Sequence, residues 1–278
     1  MDESLTSAID QTAHVSPGAT IGAGATVGPY CVIGPHAEIG EGCRLVAQVH
    51  VAGHTTIGAR TVIYPFASLG TPPQSTRYRG GPTRLAIGSD CEIRENVTIN
   101  IGTEDDRGIT EIGDHCFLMA GSHVAHDCKV GSHVTFANNV VIGGHVNIGD
   151  HVFLGGQAAV RQFVRIGTGV MVVGLSGVRA DVIPYASVQG PLAQLVGLNV
   201  VGLARRGFAK TDIRQLRAAY RYLFLGDGVF RDRVQQLNDT YADSPLVANV
   251  VAFIRSGKRP LLTSVRRRGS AASGGENE

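Results

Sequence analysis

The sequence is short of charge. Asp, Glu, Lys and Arg make up 17% of its 278 residues, and the two signs almost cancel, leaving a net +2. So small an imbalance gives no global argument for a nucleic-acid partner, and any attraction to a partner must come from local patches. Long apolar runs are missing as well. None approaches the roughly 18 residues of a membrane helix, which argues against stable membrane insertion. The opening MDESLTSAIDQ is polar, and no signal peptide is expected in it. Cysteine is scarce, at five residues. Cys31, Cys43, Cys91, Cys116 and Cys128 all fall in one slot of the pattern described next. They read as small buried hydrophobes in a reducing compartment, which points to a cytoplasmic location.

What the chain does contain is a period of six. An aliphatic or aromatic residue recurs from Val15 and Ile21 through Leu69, resumes at Ile87, Ile93 and Ile99, and after one shift of phase runs from Ile112 to Val178. The residue two positions earlier is small or β-branched, and the residue after is often glycine. Neither an α-helix nor simple strand alternation produces that spacing. Hexapeptide repeats of a β-helix do, each repeat being a short strand and a turn. The fold expected is mainly β, a parallel β-helix of about eight triangular coils whose narrow core forms only by stacking coil on coil.

Two segments break the rhythm. Residues 71–86, TPPQSTRYRGGPTRLA, span three repeat lengths without losing phase, so this loop is expected to replace one whole coil. Residues 100–110, NIGTEDDRGIT, are acidic in the middle and shift the phase by one. Long loops on a rigid solenoid build binding sites. Beyond about Pro191 helical signals take over. Thr211 and Asp212 are expected to open a helix with apolar face Ile213, Leu216, Tyr220 and Leu223, followed by helices near 228–240 and 244–256. The expected organisation is a β-helix over 1–190, a helical domain over 191–262 and a disordered tail over 263–278.

The repeat also assigns each histidine a slot. Six of ten lie three after the aliphatic residue, where a solvated turn residue is the ordinary reading. His126 alone lies two after it, in GSHVAHDCKVG, with His123 close by and Asp127 next. An imidazole suits general-base work near neutral pH, and an adjacent carboxylate can fix its tautomer.

IGPHAEIGEG (33–42), VHVAGHTTIG (49–58), FAS (66–68), PTR (82–84), VAHDCKVG (124–131), ANN (137–139) and GLNVVGLARRGF (197–208) together resemble the UDP-N-acetylglucosamine O-acyltransferases, over nearly the whole chain. The resemblance implies a left-handed coil and a homotrimer with sites between neighbouring solenoids. It implies transfer of a 3-hydroxyacyl chain from acyl carrier protein to the 3-hydroxyl of UDP-N-acetylglucosamine, the first step of lipid A synthesis, with no cofactor, metal or acyl-enzyme. Residue by residue, it makes His126 the general base, Asp127 its partner and Gly144 the oxyanion glycine. His123, His145, Gln162, Arg161, Gln74, Arg77, Asn199, Arg205 and Arg206 match substrate-binding positions, and Gly174 with Val173 the acyl-length position. Lys210, Arg214, Arg217 and Arg221 form a basic helix row suited to an acidic carrier protein. Arg161, Ser75, Leu192 and Val201 depart from the family's usual His, acidic, His and Glu residues. These departures leave N-acylation of a UDP-3-amino sugar as an alternative acceptor chemistry. A zinc enzyme of the hexapeptide carbonic anhydrase type is the rival from another class, and would need three converging imidazoles.

Overall fold

A computed structural model describes residues 7–263. Most strands are only two residues long, such as Val32–Ile33 and Lys129–Val130, because each repeat supplies one outward and one inward side chain before the chain must bend. Three parallel sheets of 11, 9 and 8 strands form the faces of a prism. Each strand pairs in register with the strand one coil on, as Phe117 does with Thr135 and Leu118 with Phe136. The repeating aliphatic residues therefore stack into columns, and Leu118, Phe136, Leu154 and Val172 are all fully buried. Full burial of such a side chain contributes about 1.5–3 kcal/mol, which is how two-residue strands accumulate a stable core. The five cysteines are free and buried in the small inward slot, as expected.

The corners explain the histidines. At most corners the slot three after the aliphatic residue has a left-handed backbone, and there it holds His115, Asp127, His133, His145 and His151 at φ between 54° and 63°, whereas His36 and His54 in the same slot do not adopt it. Histidine and aspartate tolerate that conformation better than most residues. Because corners stack as strands do, His115, His133 and His151 pile ring on ring at 4.8 and 4.7 Å.

Three expectations are corrected. The parallel strands begin at Ala8–Ile9 and only the final one, Gln194–Leu198, runs antiparallel, so at three strands per coil there are about nine coils rather than eight. The loop after Leu69 does not replace a coil. Strand Ser68–Thr71 lies on the second face and the next strand, Arg84–Ile87, on the third, so residues 72–83 are an insertion at one corner. Residues 101–108 leave at the same corner one coil later, between Thr98–Asn100 and Ile109–Ile112. Thr211 does not cap its helix: the N-cap is Ala209, with no side-chain hydrogen bond, although Asp212 does sit in the first turn.

The last coil is closed by a hairpin of Ala186–Gln189 and Gln194–Leu198. Four helices follow: α1 (Val200–Arg205), α2 (Lys210–Leu225), α3 (Phe230–Thr240) and α4 (Pro245–Arg255). Arg165 ties them to the prism. Its guanidinium bonds buried Asp181 at 2.8 Å, the Ser256 hydroxyl at 3.0 Å and the Phe253 carbonyl at 3.0 Å at the end of α4. Among the described residues no helix is long and apolar enough to cross a membrane. The tail expected to be disordered lies, beyond Thr263, outside the described residues.

Candidate active site

The corner where both loops leave the prism carries His126 on the next coil. Residues 18 apart occupy equivalent slots here, so His126 lies beneath Gly144 and Asp127 beneath His145, with Gln162 and Phe163 one coil further. The positions are locked by backbone bonds from His145 N to the His126 carbonyl at 3.0 Å and from Phe163 N to the Gly144 carbonyl at 3.1 Å. A groove of about 410 Å³ opens beside this column, lined by Gln74, Asn100, His123, His126, Gly144, Arg161 and Gln162 among others.

Asp127 is buried, and its left-handed backbone turns the carboxylate toward the 101–108 segment rather than outward. It accepts from the Thr103 backbone N–H, from the Thr103 hydroxyl at 2.6 Å and from His126 Nδ1 at 2.8 Å. A carboxylate facing a ring nitrogen requires the proton on that nitrogen. His126 is therefore held as the Nδ1–H tautomer with Nε2 bare, the form in which Nε2 can take a proton. An added Cβ at Gly144 would lie 2.6 Å from His126 Cε1 and 2.7 Å from Nε2, so only glycine leaves room for the ring. The Gly144 N–H makes no hydrogen bond to the described residues. Equivalent turn slots hold Pro29, Pro35 and Pro65, which shows that the fold does not need a donor there.

His145 meets His126 edge to face at 4.9 Å and stacks flat on Phe163 at 4.3 Å. Its Nδ1 faces Asp106. His123 accepts or donates at Nδ1 with the Thr98 hydroxyl at 2.7 Å, and burial, with the neighbouring His126 as a lesser cause, holds its pKa below the ordinary imidazole value. Cys128 is no nucleophile, since burial pushes its thiol up to about 12 and its sulfur donates to the Gly143 carbonyl at 3.2 Å. His126, Asp127 and His145 do bring ligand atoms within 4.8 Å of one another. That set has two imidazoles rather than three, however, and the carboxylate is already taken by Thr103 and His126, so it does not fit the zinc arrangement.

The structure thus gathers His126, Asp127, Gly144, His123, His145, Arg161, Gln162 and Gln74 at one corner. It does not bring in the others. Arg77 stands exposed on the same corner insertion as Gln74 but does not line the groove. Asn199 spends its amide as a structural cap, Oδ1 accepting from Gly202 N at 3.0 Å and Nδ2 donating to the Gly169 carbonyl at 3.0 Å. Arg205 and Arg206 are exposed at the end of α1, and Arg206 lines a separate groove with Tyr185. Gly174 lies against Gly156, whose carbonyl would be 3.1 Å from an added Cβ, and Val173 is exposed beside it. Arg214, Arg217 and Arg221 share a groove of about 640 Å³ with Tyr220 and Leu198, away from His126, and Lys210 opens the same helix. Thr103, Asp106, Asn100 and Phe163 are not singled out by the sequence pattern. Phe163 is findable from the 18-residue coil spacing after His145; the others sit in or beside insertions that have no repeat slot.

The Udp N-acetylglucosamine O-acyltransferase domain 2 profile matches residues 181–262, and the six-repeat bacterial transferase hexapeptide profile matches 18–53 and 109–144. A protein of Azorhizobium caulinodans named as an acyl-carrier-protein-dependent UDP-N-acetylglucosamine O-acyltransferase is 54% identical over 91% of this chain and 94% of its own length. A crystal structure of a UDP-N-acetylglucosamine acyltransferase superposes with a TM-score of 0.90 at 41% identity, covering 93% of this chain and 99% of that one. LpxA from Acinetobacter baumannii superposes with a TM-score of 0.89 at 38% identity over 91% and 99%. Coils of opposite hand could not overlay so closely, so the chain shares the left-handed winding of these relatives. With a matching coil, a matching cap and matching sequence over nine-tenths of its length, the chain belongs to the UDP-N-acetylglucosamine O-acyltransferase family.

Proposed function

We propose that this acyltransferase moves a 3-hydroxyacyl group from acyl carrier protein to the 3-hydroxyl of UDP-N-acetylglucosamine, opening lipid A biosynthesis, with His126 as general base. The observation that carries the mechanism is the His126 ring, bonded through Nδ1 to Asp127 and lying with Nε2 against Gly144 at the groove. Nε2 takes the proton of the sugar hydroxyl as its oxygen attacks the thioester carbonyl. The Gly144 N–H donates to the oxyanion that develops. Collapse of the tetrahedral intermediate breaks the carbon–sulfur bond, and the departing thiolate of the carrier receives the proton from Nε2. Both substrates are held together, so the hydroxyl attacks directly and no acyl-enzyme forms.

His123, His145, Arg161, Gln162 and Gln74 offer polar groups to the sugar, and Gly174 with Val173 limits the acyl chain. Arg205 and Arg206 serve a neighbouring subunit's nucleotide in a homotrimer, with Asn199 capping the helix that leads to them, and Arg77 lies near the acceptor. Support for that assembly comes from the second face, whose outward residues Val32, His50, Ser68, Thr98, His123 and Val141 include no Lys, Arg, Asp or Glu, so covering it desolvates no obligatory ion. Lys210, Arg214, Arg217 and Arg221 dock the acidic carrier protein. The test is to incubate the enzyme with UDP-N-acetylglucosamine and 3-hydroxyacyl carrier proteins of several chain lengths, with a UDP-3-amino sugar in parallel, and to weigh the products. An acylated UDP-N-acetylglucosamine supports the reading. Acylation of the amino sugar alone replaces the acceptor, and no acylated nucleotide at any chain length rejects the reaction.

A further inference from the structure

The acidic segment TEDDRG has no slot in the repeat, and none of its side chains belongs to the chemistry just described apart from Thr103. Two of its acidic side chains, both exposed, nevertheless make contacts along the corner. Glu104 Oε1 accepts from Gly81 N at 2.5 Å and Arg79 N at 3.3 Å, pinning the end of the loop that carries Gln74. An added Cβ at Gly81 would strike Glu104 Cγ at 2.5 Å, so the two segments are in tight contact. Two residues on, Asp106 Oδ2 meets His145 Nδ1. The side chain of His145 is 17% exposed and that of Asp106 44%. The ring is held on its other sides by Phe163, flat against one face, and by the edge contact with His126.

We infer that Asp106 is a positioning residue for the acceptor sugar, acting through His145; this rests on the reading of the groove given above. Asp106 stands to His145 as Asp127 stands to His126. It accepts hydrogen bonds only, so the proton of neutral His145 stays on Nδ1 and Nε2 is left bare. Asp127 Oδ2 lies 4.0 Å from the same Nδ1, so both nearby carboxylates favour that tautomer. The corner therefore carries two carboxylate–imidazole pairs on successive coils. The lower one removes a proton, and the upper one presents a fixed acceptor to a second hydroxyl of the sugar. The loop that carries Asp106 is also clamped to the loop that carries Gln74, which lines the groove.

The test is a double-mutant cycle on the full chain, with nitrogen-15 histidine spectra recorded for each variant. Asp106→Ala is expected to raise KM for UDP-N-acetylglucosamine about tenfold while kcat changes far less. Asp106→Asn, which keeps an acceptor oxygen, restores most of that loss, and in a His145→Ala background Asp106→Ala adds nothing further. The spectra should show the neutral His145 ring protonated at Nδ1 in the parent and shifted toward Nε2 in Asp106→Ala. An unchanged tautomer, or an equal loss from Asp106→Ala with and without His145, overturns the inference. The spectra do not depend on turnover, so failure here is distinct from failure of the acyltransfer reading.

Discussion

Gly144→Ala probes the site with one methyl group. Gly144 has no positive φ, so alanine adopts its backbone without strain, and the N–H offered to the oxyanion is retained. The only new object is a Cβ placed 2.6 Å from His126 Cε1, 2.7 Å from Nε2 and 3.2 Å from Nδ1. Carbon contacts are comfortable at about 3.5–4.0 Å, so the ring must move by roughly 1 Å. It cannot do so and keep its 2.8 Å bond to Asp127. A catalytic group misplaced by about 1 Å costs on the order of 100-fold in rate. Steady-state kinetics should therefore show kcat down about 100-fold with KM for the nucleotide little altered, because the remaining groove residues are untouched. Thermal unfolding should move only slightly, since the clash can be relieved by one side chain. A Gly144→Ala enzyme that turned over at nearly the parent rate would mean the imidazole does not work from the position seen here.

The other expectations concern stability as well as rate. Asp127→Asn can keep an oxygen at the Oδ2 place, which the Thr103 hydroxyl and His126 share, but it sets an NH₂ at the Oδ1 place against the Thr103 backbone N–H and removes the charge; urea unfolding should lose about 1–3 kcal/mol and kcat should fall with it, and an unaffected kcat would detach Asp127 from the base. Arg165→Met strands the carboxylate of Asp181, which is wholly buried, and should cost about 3 kcal/mol in the same assay; no loss would show that the helices are not held by this link. His123 is held below the ordinary imidazole value of 6.5 by burial and by His126. The unfolded chain then binds the proton more readily, so the stability tied to neutral His123 is present above 6.5 and is lost as pH falls through the folded value. His151 is shifted the same way, chiefly by burial. The urea midpoint should decline between about pH 7 and pH 5, less steeply in His123→Gln; equal slopes would exclude His123 as a contributor.

Much of this molecule is written in its period. A residue such as Leu118 or Ile142 announces its inward direction because hydrophobic burial repeats with the geometry of the turn, and His126 stands out by missing the slot that His115, His133 and His145 share. The insertion after Leu69 misleads for a physical reason. Phase repeats every six residues but the face repeats every 18, so an unbroken phase does not tell which face the chain rejoins. Asp106 and Thr103 are invisible for a related reason, since their approach to His145 and Asp127 is set by an insertion whose path has no period. The Ala209 cap shows the ordinary limit of local signals: Thr211 has the right chemistry, but the backbone is extended at Ala209 and helical from Lys210, so Thr211 is already inside the first turn.

The in-register pairing of successive coils has a consequence for engineering. Each layer touches only the layer above and the layer below, so duplicating one plain turn near the beginning, such as residues 26–43, should lengthen the rod by a single storey while everything from Ser68 onward keeps its internal distances. Catalysis in this architecture is addressed by storey number, and storeys remote from the address are spare parts.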